Sequence, residues 1–430
     1  MTQLSYRHYL LGLLLVILAF NYVDRLALGL LLQDIKTDLA LSDTQLGLLS
    51  GIAFAAFYAV MGIPIARWAD RGDRVVIITI TAALWSVMVA LCGTATSFVQ
   101  LVLIRVGVAI GEAGCIPPAH SLIADHFDRA SRPRAVAIYM LGAPLALVIG
   151  NLGAGWLNEL YGWRTTFILL GVPGLALAIL AFLTLREPRR GAVARAMSKT
   201  GAGTEPSMVA VLRVLWSSHA FRHLLVCFSV ISFFGYGLLQ WQPAFFMRSF
   251  GFQSGELGGW FALVWGGGGL VGTLAGGEWA SRRAAGREDF QLRVVASMYA
   301  AFGLFSIALY LSTDRYVALT LMALATLGSY TIAGPMFATI QTLVRPEMRA
   351  ISIAILYLFG NLIGMGLGPL AAGAISDGLR PALGEESLRY ALMFLSPGYF
   401  WGAWHAWRAS RSVRAEVEAI EAAIPGGQPA

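Results

Sequence analysis

Asp24 and Arg25 lie inside an otherwise apolar run from Tyr9 to Leu32, and Arg105 and Glu112 lie inside a second such run. A charge in bilayer hydrocarbon costs at least about 2.5–3.5 kcal/mol on insertion scales, so four of them are expected to have work to do. A guanidinium holds phosphate or carboxylate through two parallel hydrogen bonds, and a carboxyl enclosed in a low-dielectric site can exchange a proton near neutral pH. Helix geometry then distributes the roles. Neighbouring residues project about 100° apart, so Asp24 and Arg25 cannot face the same partner. Arg25 is assigned to an anionic head group, and Asp24 to Arg105 or a proton. With a 1.5 Å rise per residue, Asp24 and Arg105 come out at similar depth, while Glu112 lies ~10 Å from Arg105 along the same helix face, too far for a direct pair. Gly111 and Gly114 thin the helix around Glu112, and Pro117 and Pro118 soften the next turn, which marks Glu112 as a proton site. The competing reading is a buried charge network that only keeps two helices in register.

The elements that position these charges must cross a membrane. The chain of 430 residues is 57% hydrophobic and 13% charged, too little polar surface to coat a soluble globule of that size. Its 48 glycines and 12 tryptophans suit close helix packing and interfacial belts. The net charge of +7 does not indicate nucleic-acid binding, because the arginines sit in short loops between apolar runs rather than in one stripe. Cys92, Cys115 and Cys227 fall in apolar runs without paired spacing, which argues against disulfides or a zinc site. No cofactor and no metal is expected. The first run is too long for a signal-peptide core and should remain as the first helix.

Spans of about 20 apolar residues number twelve, near 8–36, 45–69, 75–96, 98–126, 134–160, 164–186, 220–248, 254–281, 289–312, 316–344, 349–377 and 387–409. Arginines cluster after every second span, as at Arg67, Arg71 and Arg74 or at Arg408, Arg411 and Arg414, which predicts cytoplasmic termini. Gly191 to Pro206 reads as the linker between two six-helix halves, giving an N-terminal bundle over 1–190, a linker over 191–214 and a C-terminal bundle over 215–410. The tail over 411–430 is expected to be mobile and cytoplasmic. The halves repeat weakly: Arg132-Pro133-Arg134-Ala135 answers Arg345-Pro346-Glu347-Met348-Arg349-Ala350, and Arg67-Trp68-Ala69-Asp70-Arg71 answers Glu278-Trp279-Ala280-Ser281-Arg282. Two such halves are how alternating-access carriers are built.

The loop Gly62-x7-Asp70-Arg71-Gly72-Asp73-Arg74 resembles the signature of the major facilitator superfamily, with Asp73 where glycine is usual. Asn21-Tyr22-x-Asp24-Arg25, Gly111-Glu112-Ala113, Ile123-Ala124-Asp125, Leu185-Arg186-Glu187-Pro188, Trp241-x-Pro243-Ala244-Phe245 and Ile375-Ser376-Asp377 resemble the Spinster family within it, over nearly the whole chain. That resemblance implies an all-α, twelve-helix carrier of amphipathic, lipid-like molecules. It also implies proton coupling through the Asp of the first helix and the Glu of the fourth, here Asp24 and Glu112.

Substrate contacts are expected from Arg25, Arg105 and Tyr58 in the first half and from Tyr236, Gln240, Trp241, Trp265, Tyr330 and Asn361 in the second, where an aromatic, apolar wall would face the head-group side. For each aromatic, packing or interfacial anchoring is the plainer alternative. Asp70, Arg74 and Asp125 are expected to form a cytoplasmic gate, with Asp70 also meeting the helix start near Arg349–Ile351. His120 is read as an interfacial histidine, and Gly266-Gly267-Gly268-Gly269 as a packing or bending element rather than a phosphate loop. The expectation is a monomeric secondary transporter of the inner membrane that moves an amphipathic anionic lysolipid or sphingoid-like lipid with protons. Its rivals are a proton-coupled drug or organic-anion carrier, a membrane sensor and a lipid-acting membrane enzyme. A sensor usually carries a signalling domain, and an enzyme needs a nucleophile–base set near the charges.

Overall fold

The computed structural model describes residues 3–128, 131–188, 208–284, 286–344 and 348–422, and among these every regular element is helical. The linker Gly191–Pro206 lies outside the described residues, as does the side chain of Asp70. In chain order the helices are α1 (Gln3–Leu39), α2 (Asp43–Ser50), α3 (Ile52–Arg71), α4 (Arg74–Cys92), α5 (Phe98–Glu112), α6 (Ile116–His126), α7 (Arg132–Met140) and α8 (Gly142–Thr184). They continue with α9 (Met208–Ser217), α10 (His219–Phe250), α11 (Ser254–Phe261), α12 (Gly268–Arg283), α13 (Glu288–Leu311) and α14 (Arg315–Thr342). The last are α15 (Arg349–Phe359), α16 (Gly368–Leu383), α17 (Ser387–Leu395), α18 (Gly398–Ser410) and α19 (Val413–Ala422). Wide turns at Ala262–Gly267 and Gly360–Leu367 join α11 to α12 and α15 to α16 as π-helix.

Helix starts follow local chemistry. Ser42 and Gln45 form a reciprocal capping box at α2, and Ser97 and Asp314 cap α5 and α14 through their side chains. Asp73 caps α4 by accepting the Val76 N–H at 3.0 Å. That bond gives the aspartate at a position where glycine is usual a local structural role.

Among the described residues ten helical stretches are long and apolar enough to cross a membrane, and two of them are far longer than one crossing needs. A straight helix of the 43 residues of α8 would run about 65 Å, twice the hydrocarbon thickness. The chain instead turns back at Gly162, whose φ of 76° only glycine adopts readily. Before that turn α8 runs parallel to α1: Gly142 abuts Leu15 and Leu18, Gly150 abuts Val23, and Asn158 bonds Asp34. After it the direction reverses, with Trp163 bonding Asp38 at 3.2 Å and Thr184 bonding Tyr9 at 2.8 Å. The stretch Ile351–Ser410 doubles back in the same way. Gly360, Gly364 and Gly368 follow Phe228, Ser232 and Phe233 along α10, and then Gly398 and Gly402 pass Phe234 and Ile231 in reverse order. Gly384, at φ 56°, sits in the reversal. Among the described residues, ten such stretches with a reversal in two of them accord with the twelve spans expected from the sequence.

Packing divides the chain into two compact units, Met1–Ala202 with Gln240–Gly266, and Gly203–Leu239 with Gly267–Ala430. The division differs from a simple cut at the linker, because the end of α10 and all of α11 join the first unit. One unit boundary falls within α10, close to Pro243, and the other in the π-helical turn at Gly266–Gly267. In the second unit a Cβ at Gly272 or Gly276 would run into the backbone of Leu327 or Thr331, so these glycines set how closely α12 and α14 approach.

The C-terminal segment departs from the expectation of a mobile tail beyond Arg411. Val413 and Val417 of α19 are buried, and Glu416 accepts the Ala220 N–H at 3.0 Å and the Ser218 hydroxyl. An i, i+4 apolar pair and a carboxylate on an amide of the first turn of α10 hold the helix down.

Candidate functional site

The four membrane charges meet in the first unit. Arg105 Nη1 donates to Asp24 Oδ2 at 2.6 Å, with Arg105 at 1% and Asp24 at 3% exposure. Arg25 pairs with Glu112, whose side chain is wholly buried. Adjacent residues of α1 therefore each take a partner from α5, seven residues apart, as their 100° divergence requires. The Arg25 guanidinium lies 4.6 Å from the ring centroids of Phe54 and Tyr58 and 4.9 Å from that of Tyr22. Phe54 also receives Arg105 at 5.2 Å. Aromatic faces stabilise a desolvated guanidinium by up to about 2 kcal/mol each, so the rings compensate partly for lost water.

Asp24 Oδ1 and Glu112 Oε1 are buried and find no N–H or hydroxyl donor in the structure. The two carboxylates and two guanidiniums thus form a compact buried set in which each carboxylate keeps one oxygen without a donor. Asn21 Nδ2 reaches the Glu112 carbonyl only at 3.5 Å, the limit of a hydrogen bond.

Glu112 is the last residue of α5, and the expected single span over 98–126 is broken after it. Pro117 and Pro118 cannot donate to the carbonyls of Ala113 and Gly114, and the chain passes through tighter turns at Gly114 and Cys115 before α6. The proton-site candidate therefore stands at a helix end rather than in mid-helix. His120, one turn into α6, sets its ring edge-on to Tyr139 at 5.3 Å.

Two further charged clusters lie toward opposite ends of the first unit. At the end that holds Tyr6 and Thr184, Arg74 is wholly buried and donates to Asp125 at 2.7 Å and to the Ser121 carbonyl and hydroxyl at 3.0 and 2.9 Å. Glu187 accepts from the Arg74 backbone N–H at 2.7 Å and from Nε at 3.1 Å, and pairs with Nη2. Of the expected Asp70, Arg74 and Asp125 set, Arg74 and Asp125 are brought together. Glu187, which the sequence marks only as part of the segment closing the sixth span, is the stronger partner.

At the other end Asp43 is wholly buried and receives Arg248 Nη1 and Nη2, each at 2.8 Å, together with Lys36. Arg248 Nε donates to Gln33 at 2.6 Å. Close by, Asn158 bonds Ser254 at 3.1 Å, and Glu159 accepts the Gly255 N–H at 2.9 Å at the start of α11. A cleft of about 440 Å³ opens there between Gln33, Asp34, Trp163 and Phe252. No motif in the sequence marks Lys36, Asp43 or Arg248, because Arg248 lies 205 residues from Asp43.

The remaining candidates divide between the units. Tyr58, Gln240, Trp241 and Trp265 belong to the first, and Tyr236, Tyr330 and Asn361 to the second. Trp241 is wholly buried with Arg248 over its ring at 5.8 Å, so it presents no surface to a ligand in this structure. Trp265 stacks on Phe261 with centroids 4.5 Å apart. Tyr236 is partly exposed, Tyr330 packs against Gly269, and Asn361 lies in the π-helical segment Gly360–Leu367.

Helices long and apolar enough to cross a membrane, reversals at glycine and a buried charge set within the first unit are features of a membrane carrier. The chain matches the Major Facilitator Superfamily over residues 14–369 and belongs to that family. It is 36% identical over 390 residues to an MFS-type efflux pump of Mycolicibacterium smegmatis, covering 89% of this chain and 88% of that protein. The crystal structure of a bacterial homologue of the human lysosomal transporter Spinster, inward-facing and unoccupied, superimposes with a TM-score of 0.84 at 30% identity, over 96% of this chain and 98% of that one. Protein spinster homolog 1 of Xenopus tropicalis is 26% identical over 431 residues, covering 91% of this chain and 79% of that protein. The chain is a multi-pass membrane transporter with Spinster-like neighbours, and not an enzyme.

Proposed function

We propose that this transporter moves an amphipathic anion of the lysolipid or sphingoid type and couples the movement to protons by alternating access. The Arg25–Glu112 pair carries the reading. While Glu112 is ionised it occupies the guanidinium that an anionic head group would need. A proton delivered to the Glu112 carboxyl weakens that pair and releases Arg25, which stays solvated by Phe54, Tyr58 and Tyr22 until a phosphate or carboxylate takes Glu112's place. Asp24 and Arg105 keep α1 and α5 in register during the exchange. Proton and anion therefore favour each other's binding. Arg74 with Glu187 and Asp125, and Asp43 with Arg248, serve as gates at the two ends, and the arginine-rich end faces the cytoplasm.

Purified protein in proteoliposomes under an imposed pH gradient tests this with a labelled panel of a lysophospholipid, its neutral analogue and simple organic anions. Uptake or release of the anionic amphiphile should follow the gradient in the wild type and lose that dependence in Glu112→Gln. Gradient-independent transport in both proteins would refute the coupling. A second reading, a proton-coupled drug or organic-anion carrier, is favoured by the efflux-pump designation of the mycobacterial relative. In that case the simple anions in the panel are moved and the lysophospholipid is not.

A further inference from the structure

The second unit carries a basic groove remote in sequence from the four membrane charges. We propose that it binds the phosphate of an anionic phospholipid from the leaflet on the arginine-rich side. The groove, about 540 Å³, lies where the start of α13 meets the end of α18 and the beginning of α19. Arg293, Arg411 and Arg414 line it, with Trp407 and a single carboxylate, Asp289.

Its geometry suits a phosphodiester. The Arg411 guanidinium lies 3.8 Å from the centroid of the Trp407 ring, so one face is fixed by the indole while its N–H edge remains available in plane. Arg293 and Arg414 are engaged by Asp289 and Glu418 one turn away on their own helices, and both are more than half exposed. Exposed pairs of that spacing are weak and readily exchanged for a phosphate that accepts bidentately. The walls themselves do not move freely, because Val413 is buried and Glu416 is bonded to Ser218 and to the Ala220 N–H.

The source of the phosphate follows from the neighbouring surface. Trp401, Trp404 and Trp407 recur every third residue along α18 and are 54%, 48% and 40% exposed, a row suited to the head-group level of a bilayer. A lipid whose acyl chains lie beside that row places its phosphate at Arg411. A choline head group would bring a fourth cation beside three arginines, so the groove should favour phosphatidylglycerol over phosphatidylcholine.

Native mass spectrometry of the full-length protein, offered equal amounts of the two lipids, reads this directly. Wild type should retain phosphatidylglycerol preferentially, and Arg411→Gln, Arg414→Gln and Arg293→Gln should each reduce the preference about fivefold. Arg222→Gln, at the exposed start of α10 outside the groove, should leave it unchanged, and thermal unfolding in detergent checks that every variant is folded. Undiminished preference in the three groove variants, or equal retention of both lipids by wild type, would overturn the proposal. Displacement of the bound lipid by inorganic phosphate at the lipid's own concentration would also overturn it, assigning the groove to soluble phosphates.

Discussion

The Asp24–Arg105 pair should be the main electrostatic tie between α1 and α5, and a double-mutant cycle measures it. Asp24→Asn leaves a guanidinium that is 1% exposed without its carboxylate, and Arg105→Gln leaves a carboxylate that is 3% exposed without its cation. Breaking a buried pair from one side typically costs about 3–5 kcal/mol, because the remaining charge stays desolvated. At roughly 2 °C per kcal/mol, the low end for large soluble domains, each single variant should melt about 6–10 °C below wild type in detergent. The double variant removes both charges and keeps two amides that can bond each other. Its loss should therefore be well under half the sum of the singles. Arg25→Gln with Glu112→Gln should show smaller coupling, since the Arg25 side chain is 16% exposed and rests on three rings whichever anion it meets. Additive losses in the Asp24–Arg105 cycle, or a larger coupling in the other pair, would refute the assignment of register to one pair and exchange to the other.

Three more outcomes follow from the same geometry. Arg25→Ala should weaken binding of an anionic amphiphile about tenfold or more while changing a neutral analogue of equal chain length much less, as read by ligand-induced thermal shift. Glu187→Gln removes the carboxylate that meets three Arg74 N–H groups, a loss of about 1.5–3 kcal/mol; spin-label distances across the arginine-rich ends of α6 and α14 should shift toward separation, and unchanged distances would place the gate elsewhere. A cysteine at Arg195 should label only after permeabilisation of intact cells, and ready labelling from outside would reverse the topology.

The class of protein was legible in composition and spacing, because hydrocarbon penalises any chain that does not supply about 20 apolar residues per crossing. The same penalty exposed Asp24, Arg25, Arg105 and Glu112 as residues worth locating. Their partnership was less legible. The 100° between Asp24 and Arg25 required two partners, but only the rotation of α5 assigns Arg105 to the first and Glu112 to the second. Arg25 thus meets an internal carboxylate where the sequence suggested a head group. Glu187 was visible in a short motif, yet its contact with Arg74 spans 113 residues and no local pattern encodes that distance.

Other features were decided by packing alone. Trp241 is in the sequence a candidate substrate contact with packing as the plainer alternative, and the structure buries it wholly, with Arg248 over its ring. The last helix sits in a polar stretch ahead of Pro425-Gly426-Gly427, and only the fit of Val413, Val417 and Glu416 onto the α10 start shows why it is ordered. By itself the sequence determined the spans, their reversals and the expensive charges, since each answers to a local cost paid residue by residue. Which charge meets which, and where α10 passes from the second unit to the first, were decided by the tertiary structure, since side-chain pairing depends on helix rotation and depth, which are collective properties of the packed bundle.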